Sequence, residues 1–437
     1  MKVKNISNKN IIVGTLQDID PTTEAYLLAR YSRSRESMPD TINYVMSKGV
    51  NPEDRFKKIV NYGHSSVRGM GHFPCFVEGT SILESLRFFY NCPLQDGQES
   101  STRYIDFSKQ VKFLKPSILT KEYESICNYL YNSYSCLLRE TISSLSLLFN
   151  VKESKTLKVR AIDCARYLLP LATKTGFGAI HSGREWSRYI KYLKGLSEDS
   201  ISKLISDQLS ELLTQEYPAL VNHLEALPLI EDKIIKLMLT QIDIEDNSHL
   251  SLMAYEVKDS SLELLNRFSS LISPNNLYTQ THLSSIDENI KRDISSLIFD
   301  NFNHHNEMGI IGRDGCICVK GMSDIGGTIK DLNRHRSINR FIPFLHHSFN
   351  LDEELNRNSN LYELPPYLNN LPPLKTKYIE VLDNTYSSII DWYSKAKDYM
   401  ELQEAKEWTK RLLPNAHRTQ FAFYGSIKDW LYLTRLR

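Results

Sequence analysis

The sequence predicts an α+β protein, helix-rich, built from two tandem copies of one unit, each with a small, mainly antiparallel sheet. Three observations carry this expectation. Apolar side chains recur three and four residues apart through EYESICNYLYNSYSCLLRETISSLSLLFN, Glu122 to Asn150, the spacing of one face of a long amphipathic helix. Strand-like alternation is confined to short pieces, clearest in HFPCFVEG (His72 to Gly79) and weaker in LSLMAY and GCICVKG. Finally, LLPLATKTGFGAIHSGREW (Leu168 to Trp186) aligns without a gap with LLPNAHRTQFAFYGSIKDW (Leu412 to Trp430), and eight of the nineteen positions coincide.

That spacing, 412 − 168 = 244 residues, is far too long for a solenoid and reads as duplication of a whole domain. The expected division is residues 1–245 and 246–437, with the boundary in the polar run DIEDNSH, Asp243 to His249. Within the first copy, KVRAIDCARYLL is a helix that stops at Pro170. Ser182 suits the N-cap of REWSRYIKYL, and an Asp-Ser pair opens DSISKLISDQLSELL. Chance similarity of two proline-started helices is the alternative to duplication.

The bulk composition excludes several classes. With 53 Lys and Arg against 52 Asp and Glu, a net charge of +1 offers no general field to recruit nucleic acid or an anionic membrane. The seven cysteines are odd in number and contain no C-x-x-C, which argues against a disulfide framework and a zinc site. Near the start only Ile11, Ile12 and Val13 form an apolar run, too short for a signal peptide, and nothing resembles a membrane span. A cytoplasmic protein is expected. No metal is assigned, because the His304/His305 and His346/His347 pairs lack ligand-spaced companions.

Neither G-x-x-x-x-G-K-[ST] nor G-x-G-x-x-G occurs, so a phosphate would have to be held by other means. Two clusters offer such means. In QESSTRY, Gln98, Glu99, Ser100, Ser101, Arg103 and Tyr104 bring hydroxyls and a guanidinium fork together, and Glu99 could accept from a sugar hydroxyl. The plainer alternative is a solvated loop in which Arg103 pairs with Glu99 or Asp106. In NRHRSINRFIPF, Arg334, His335, Arg336 and Arg340 are read on a helix that starts after Gly326 and Gly327. Cations without acids between them repel one another, and an anion such as a pyrophosphate would relieve that cost. A solvated basic stripe is the alternative.

Together these pieces resemble the flavin-dependent thymidylate synthase (ThyX) family, whose signature R-H-R-x-x-S-x-N-E-x-S-x-R-Y follows a G-H-x-S segment and precedes an L-P-…-T-…-N-x-R helix. Gly63, His64 and Ser66 match the first element, Gln98, Glu99, Ser101, Arg103 and Tyr104 the end of the signature, and Leu169, Pro170, Thr175 and Arg184 the last. The R-H-R register of the first copy reads Asn91, Cys92, Pro93 instead. The second copy keeps Arg334, His335 and Arg336, has RFIPFLH where the nucleotide loop should be, and carries Lys428 in place of the arginine. Each copy thus lacks what the other keeps.

The resemblance implies two ThyX-like repeats and reductive methylation of dUMP to dTMP, with methylene from methylenetetrahydrofolate and hydride from FAD reduced by NADPH. It places Arg103 on the substrate phosphate, Ser100 and Ser101 as donors beside it, and Glu99 on the ribose. Arg184, or Lys428 in the second copy, would polarise the pyrimidine. Arg334, His335 and Arg336 would contact FAD together with His64 and Ser66. The family's tetramer of single repeats would become a homodimer of tandem chains. A flavin-dependent methylase of another pyrimidine nucleotide and a non-catalytic nucleotide-binding or scaffold paralogue are the alternatives.

Overall fold

The computed structural model describes residues 2–8, 11–49, 51–61, 65–92, 96–109, 112–151, 154–229, 251–253, 289, 292, 293, 296, 317–335, 337–356 and 361–436. The expected repeat boundary at Asp243 to His249 lies outside them, as do Gly63, His64 and Arg336. The chain forms two compact units, Met1–Met238 with Pro365–Pro414 and Leu239–Leu364 with Asn415–Arg437. These units are interleaved in sequence. About fifty residues from late in the chain complete the first unit, so compact units and sequence repeats are different divisions of the molecule.

The first unit opens with an antiparallel hairpin, β1 (Lys2–Asn8) and β2 (Ile11–Gln17). Helices α1 (Pro21–Tyr31), α2 (Met38–Ser47) and α3 (Pro52–Asn61) follow. Asp20 and Ser37 cap the first two by accepting from backbone N–H groups, each ahead of an early proline that needs no donor of its own. Strand β3 (His72–Ser81) runs into helix α4 (Ile82–Asn91). Then come β4 (Asp96–Glu99), the long helix α5 (Thr120–Leu148), α6 (Lys155–Ala165), β5 (Lys174–Ser182), α7 (Gly183–Gly195) and α8 (Ser200–Glu216).

The long periodic segment is therefore α5, and Ser182 and Asp199 cap α7 and α8 as their positions suggest. Where a helix is expected after Pro170, the chain forms β5, the central strand of an antiparallel sheet ordered β3-β5-β4. The physical reason lies in TGFGA: two glycines disfavour a helix, while Thr175, Phe177 and Ala179 alternate into the core. There Phe88 of α4 stacks on Phe177 at 4.1 Å and meets Tyr189 of α7 edge-on at 4.9 Å. A bulge at Gly79, φ +73°, interrupts the β3–β5 register.

Helices α9 (Pro372–Tyr399) and α10 (Leu402–Leu412) also belong to this unit. Helix α9 packs along α5, and the indole of Trp392 donates to the carbonyl of Leu119. Pro170 bridges Pro414, with Leu171 N–H donating to Leu413 O at 2.9 Å. Beside this bridge lies a buried network of three carboxylates and three cations. Arg411 donates to Glu84 Oε1 (2.6 Å) and to both oxygens of Asp199 (2.8 and 2.9 Å). Arg87 donates to Glu407 (2.6 Å), which also takes Lys410 (3.1 Å). All six side chains are almost wholly out of water. Burial pulls the Arg411 guanidinium down, but the carboxylates of Asp199, Glu84 and Glu407 outweigh it and hold the group more firmly charged than a free arginine.

The second unit contains a four-stranded antiparallel sheet, β6 (Ser251–Met253), β7 (Ile317–Asp324), β9 (Arg418–Gly425) and β8 (Asn339–Phe341), in that spatial order. Short helical turns lie at Lys330–Leu332 and Leu351–Leu355, and α11 (Ile427–Leu436) follows β9. The strand register recurs at the interval of the sequence match. Phe73 faces His181 across β3 and β5, and 244 residues later Ile317 faces Gly425 across β7 and β9. Trp186 Nε1 donates to Phe73 O at 3.4 Å, and Trp430 Nε1 donates to Ile317 O at 2.9 Å. The repeat thus carries a strand, helix, strand and indole latch rather than only an α-helix.

Candidate functional site

The sequence-selected residues of the first unit fall at opposite ends of β5. Ser100 N–H donates to Gly176 O, which sets the loop Ser100 to Phe107 at the N-terminal end of that strand. Arg184 follows Ser182 at the other end. Gly176 and Ser182 lie six steps apart along the strand, a rise of roughly 20 Å. Gln98, Glu99, Ser100, Ser101, Arg103 and Tyr104 therefore form one cluster and Arg184 belongs to another.

In the loop cluster, Glu99 is held by the hydroxyl of Ser85 on α4, which donates to its Oε2 at 2.6 Å. Ser101 Oγ accepts from the N–H of Arg103 at 3.2 Å. The Arg103 fork is bidentate on Asp163 of α6, Nε to Oδ1 at 2.9 Å and Nη2 to Oδ2 at 3.1 Å. Asp163 is thus a partner that the plain solvated-loop alternative, built on Glu99 or Asp106, does not include. Asp163 also faces Arg166 Nε at 3.5 Å. It fixes the plane and direction of the Arg103 guanidinium, whose side chain remains 39 % exposed and within reach of an anion. Asp163 and Arg166 were not selected from sequence. The useful signal was an acid and an arginine three residues apart inside the apolar run AIDCARYLL.

At the other end of β5, Ser66 is exposed on the turn Ser65–Gly69, and the Arg184 guanidinium carbon lies 3.8 Å from the position of a Cβ on Gly69. Arg68 is buried, donating to Leu220 O (2.9 Å) and Ser187 Oγ (2.6 Å). Burial, then the nearby charge of Arg184, lowers its pKa. Arg188 pairs with Glu185 at 3.0 Å and also donates to the carbonyl of Asn91. The Ser65–Gly69 turn, Asn91 and Arg184 consequently share one cationic end of the sheet.

In the second unit the same end carries Arg334 and His335, close in sequence to β8, whose Asn339 faces Tyr424 near the end of β9. They do not sit on a helix. Ile325–Ile329 is a wide π turn, the helical turn after it ends at Leu332, and Asn333 to His335 lie outside any helix or strand. Asp324 accepts from the N–H and hydroxyl of Thr328 at 3.2 and 2.9 Å. Gly326 has no room for a side chain, since a Cβ there would fall 2.2 Å from that of Asn415. Arg334 is exposed. His335 is buried, with its ring 6.3 Å from Tyr432 on α11, while Arg340 donates to Asn333 Oδ1 at 3.1 Å. Lys428 is half-buried on the first turn of α11. Guanidinium, imidazole and ammonium groups are donors of the type that an anionic phosphate group takes.

Comparison with known proteins identifies the frame around these clusters. The Thy1 family, described as thymidylate synthase complementing protein, matches residues 16–218. The Thy1 match contains both ends of β5, hence the Gln98 to Tyr104 cluster and the Arg184 cluster. The chain is also similar to a UPF0159 protein of Chlamydia pneumoniae, 22% identical over 430 residues, covering 88% of this chain and 74% of that protein. UPF0159 proteins of Chlamydia muridarum (26% identical, 37% of this chain and 34% of that one) and Thermoplasma acidophilum (24%, 45% and 47%) match over shorter stretches. Among the described residues, no helix is long and apolar enough to cross a membrane.

Proposed function

We propose that this Thy1-family protein is a flavin-dependent thymidylate synthase that converts dUMP to dTMP, using methylenetetrahydrofolate, with NADPH as reductant, and that it works as a homodimer. The observation that carries this is the Arg103–Asp163 fork: a guanidinium pre-aimed by a bidentate carboxylate on a loop lined with Ser100 and Ser101. Such a fork fits the two oxygens of a phosphate monoester without reorganising, and Glu99, steadied by Ser85, is placed to accept from a ribose hydroxyl. Gln98 and Tyr104 border the same loop, and Tyr104 is largely exposed.

FAD would be held through Arg334, His335 and Arg336, with His64 and Ser66 contributing, and it supplies hydride chemistry when bound. Arg184 and Lys428 each set a fixed cation at the equivalent end of their sheets. A cation facing the pyrimidine carbonyls stabilises charge that accumulates as C5 becomes nucleophilic, and lysine does so without the planar fork of arginine. Buried thiols fit a mechanism with no cysteine nucleophile: burial, then Asp163, pushes Cys164 up to about 12, and burial raises Cys127 well above its usual value.

Flavin absorbance and dUMP binding test this directly. Purified protein should carry or take up FAD and bind dUMP. Arg103→Ala should weaken dUMP at least tenfold while leaving the flavin spectrum intact, and Arg334→Ala should lower flavin occupancy. Colourless protein that ignores added FAD overturns the enzyme assignment. Retained FAD with no dUMP binding, but turnover of UMP or dCMP, moves the assignment to another pyrimidine nucleotide.

A further inference from the structure

Between the Arg103 loop and α6 the first unit has a cavity of about 730 Å³. This is within the size range of small-molecule sites. Its charge is unusual for a chain that is neutral overall. Lys109, Lys112, Lys155, Lys158 and Lys174 line it against a single acid, Asp106. That acid is already committed: its Oδ1 accepts from the N–H and hydroxyl of Ser108 at 3.1 and 2.6 Å, and its Oδ2 is 3.9 Å from Lys158. Among the described residues, Lys109, Lys112, Lys155 and Lys174 make no ion pair. Four uncompensated ammonium groups around one concavity raise its potential and leave a standing repulsion that an anion would remove.

The rim is anchored rather than loose. Lys174 N–H donates to Lys112 O at 2.9 Å, that same carbonyl accepts from the buried Tyr131 hydroxyl at 3.1 Å, and Phe113 bridges Thr173. The backbone positions of two lysines are therefore set before any ligand arrives. The remaining wall is apolar and aromatic: Ile105, Phe107, Val159 and Ile162, with Tyr104 at the edge. Tyr104 and Ile105 are 72 % and 43 % exposed, a ring face and an aliphatic surface presented to solvent beside the lysines.

We propose that this pocket is a second nucleotide site, distinct from the Arg103 fork, and that it binds a nucleoside triphosphate through the lysines with its base against Tyr104. Three consecutive phosphates carry about four negative charges, matching the surplus of lysines, whereas a monophosphate carries about two. Lysine ammonium groups act as point charges that suit a run of phosphate oxygens, and the aromatic edge gives the base a stacking surface. A carboxylate chain such as oligoglutamate would satisfy the charges but leave that surface unused.

Isothermal titration of the full-length chain in magnesium-free, low-salt buffer tests it, using ATP, AMP and tetraglutamate as probes. The expected result is one ATP per chain, AMP at least tenfold weaker, and affinity that falls as salt rises. The Lys109→Ala/Lys174→Ala double variant should weaken ATP at least tenfold yet keep its dUMP binding and melting temperature, because both side chains are exposed. Arg103→Ala should do the reverse, which separates this site from the substrate loop. The proposal is overturned by absent ATP binding at millimolar concentration, by equal affinity for ATP and AMP, by tetraglutamate binding more tightly than ATP, or by indifference of the folded lysine variant.

Discussion

The two copies of the sheet keep the same frame and differ in what hangs from its ends. In both, the strand before the helix faces the strand after the proline in the same register, and an indole 244 residues from its counterpart donates to the equivalent carbonyl. The ends have diverged separately. The first copy has a bulge at Gly79, a full ten-residue α4 and a loop ending in the Arg103–Asp163 fork. The second has no bulge, a wide π turn with a single helical turn, and IPFLHH where that loop would be, but it presents Arg334 and His335. A β-ladder is cooperative and tolerates little change within it, whereas each loop at a strand end touches few partners and can lose its role without unfolding the sheet.

The largest test of this contrast lies under the first sheet. Arg411→Met should destabilise the protein by about 3–5 kcal/mol, because Glu84 and Asp199 would stay buried with a principal counter-ion gone. Urea denaturation would register it as a fall in midpoint with little change in slope. A loss below 1 kcal/mol would mean that water reaches the network. Next, the indole latches can be compared as a pair. Trp186→Phe removes a fully buried ring edge and should cost about 2–3 kcal/mol, while Trp430→Phe, which is less enclosed, should cost about 1 kcal/mol, mainly the unpaired carbonyl of Ile317. Thermal melts of the two variants would show whether the latches are equivalent in geometry alone. Smallest is the bulge: at φ +73°, Gly79→Ala has space around it but an unfavourable backbone, and should cost about 1 kcal/mol by calorimetry. No effect would show that β3 can shed the bulge and take up the simpler register of β7.

Much of the helical framework was legible in the sequence. A 3.6-residue period marks α5, and short polar residues ahead of apolar runs mark the caps Ser182 and Asp199, because these are local effects. Strand β5 was not, since its identity depends on β3 and β4 lying on either side. Strand β4 is harder still: DGQE has no apolar alternation, and only its pairing with Ile180 to Phe177 makes it a strand. Of the site, the Gln98 to Tyr104 cluster was visible as a motif, while Asp163 was hidden sixty residues away inside a helix that reads as ordinary core. The buried charges of α10 were equally opaque, because AKEWTKRL looks like a solvated helix face until Glu84, Arg87 and Asp199 are brought to meet it.

The placement of Pro365–Pro414 has a consequence for how the chain is made. During synthesis, the first unit waits for α9 and α10, so the apolar flank of α5 and the carboxylates of Glu84 and Asp199 stay uncovered until residue 414 has left the ribosome. Nascent chains released before that point would present a sticky, negatively charged gap, and such fragments would be natural clients for chaperones and early targets for proteases.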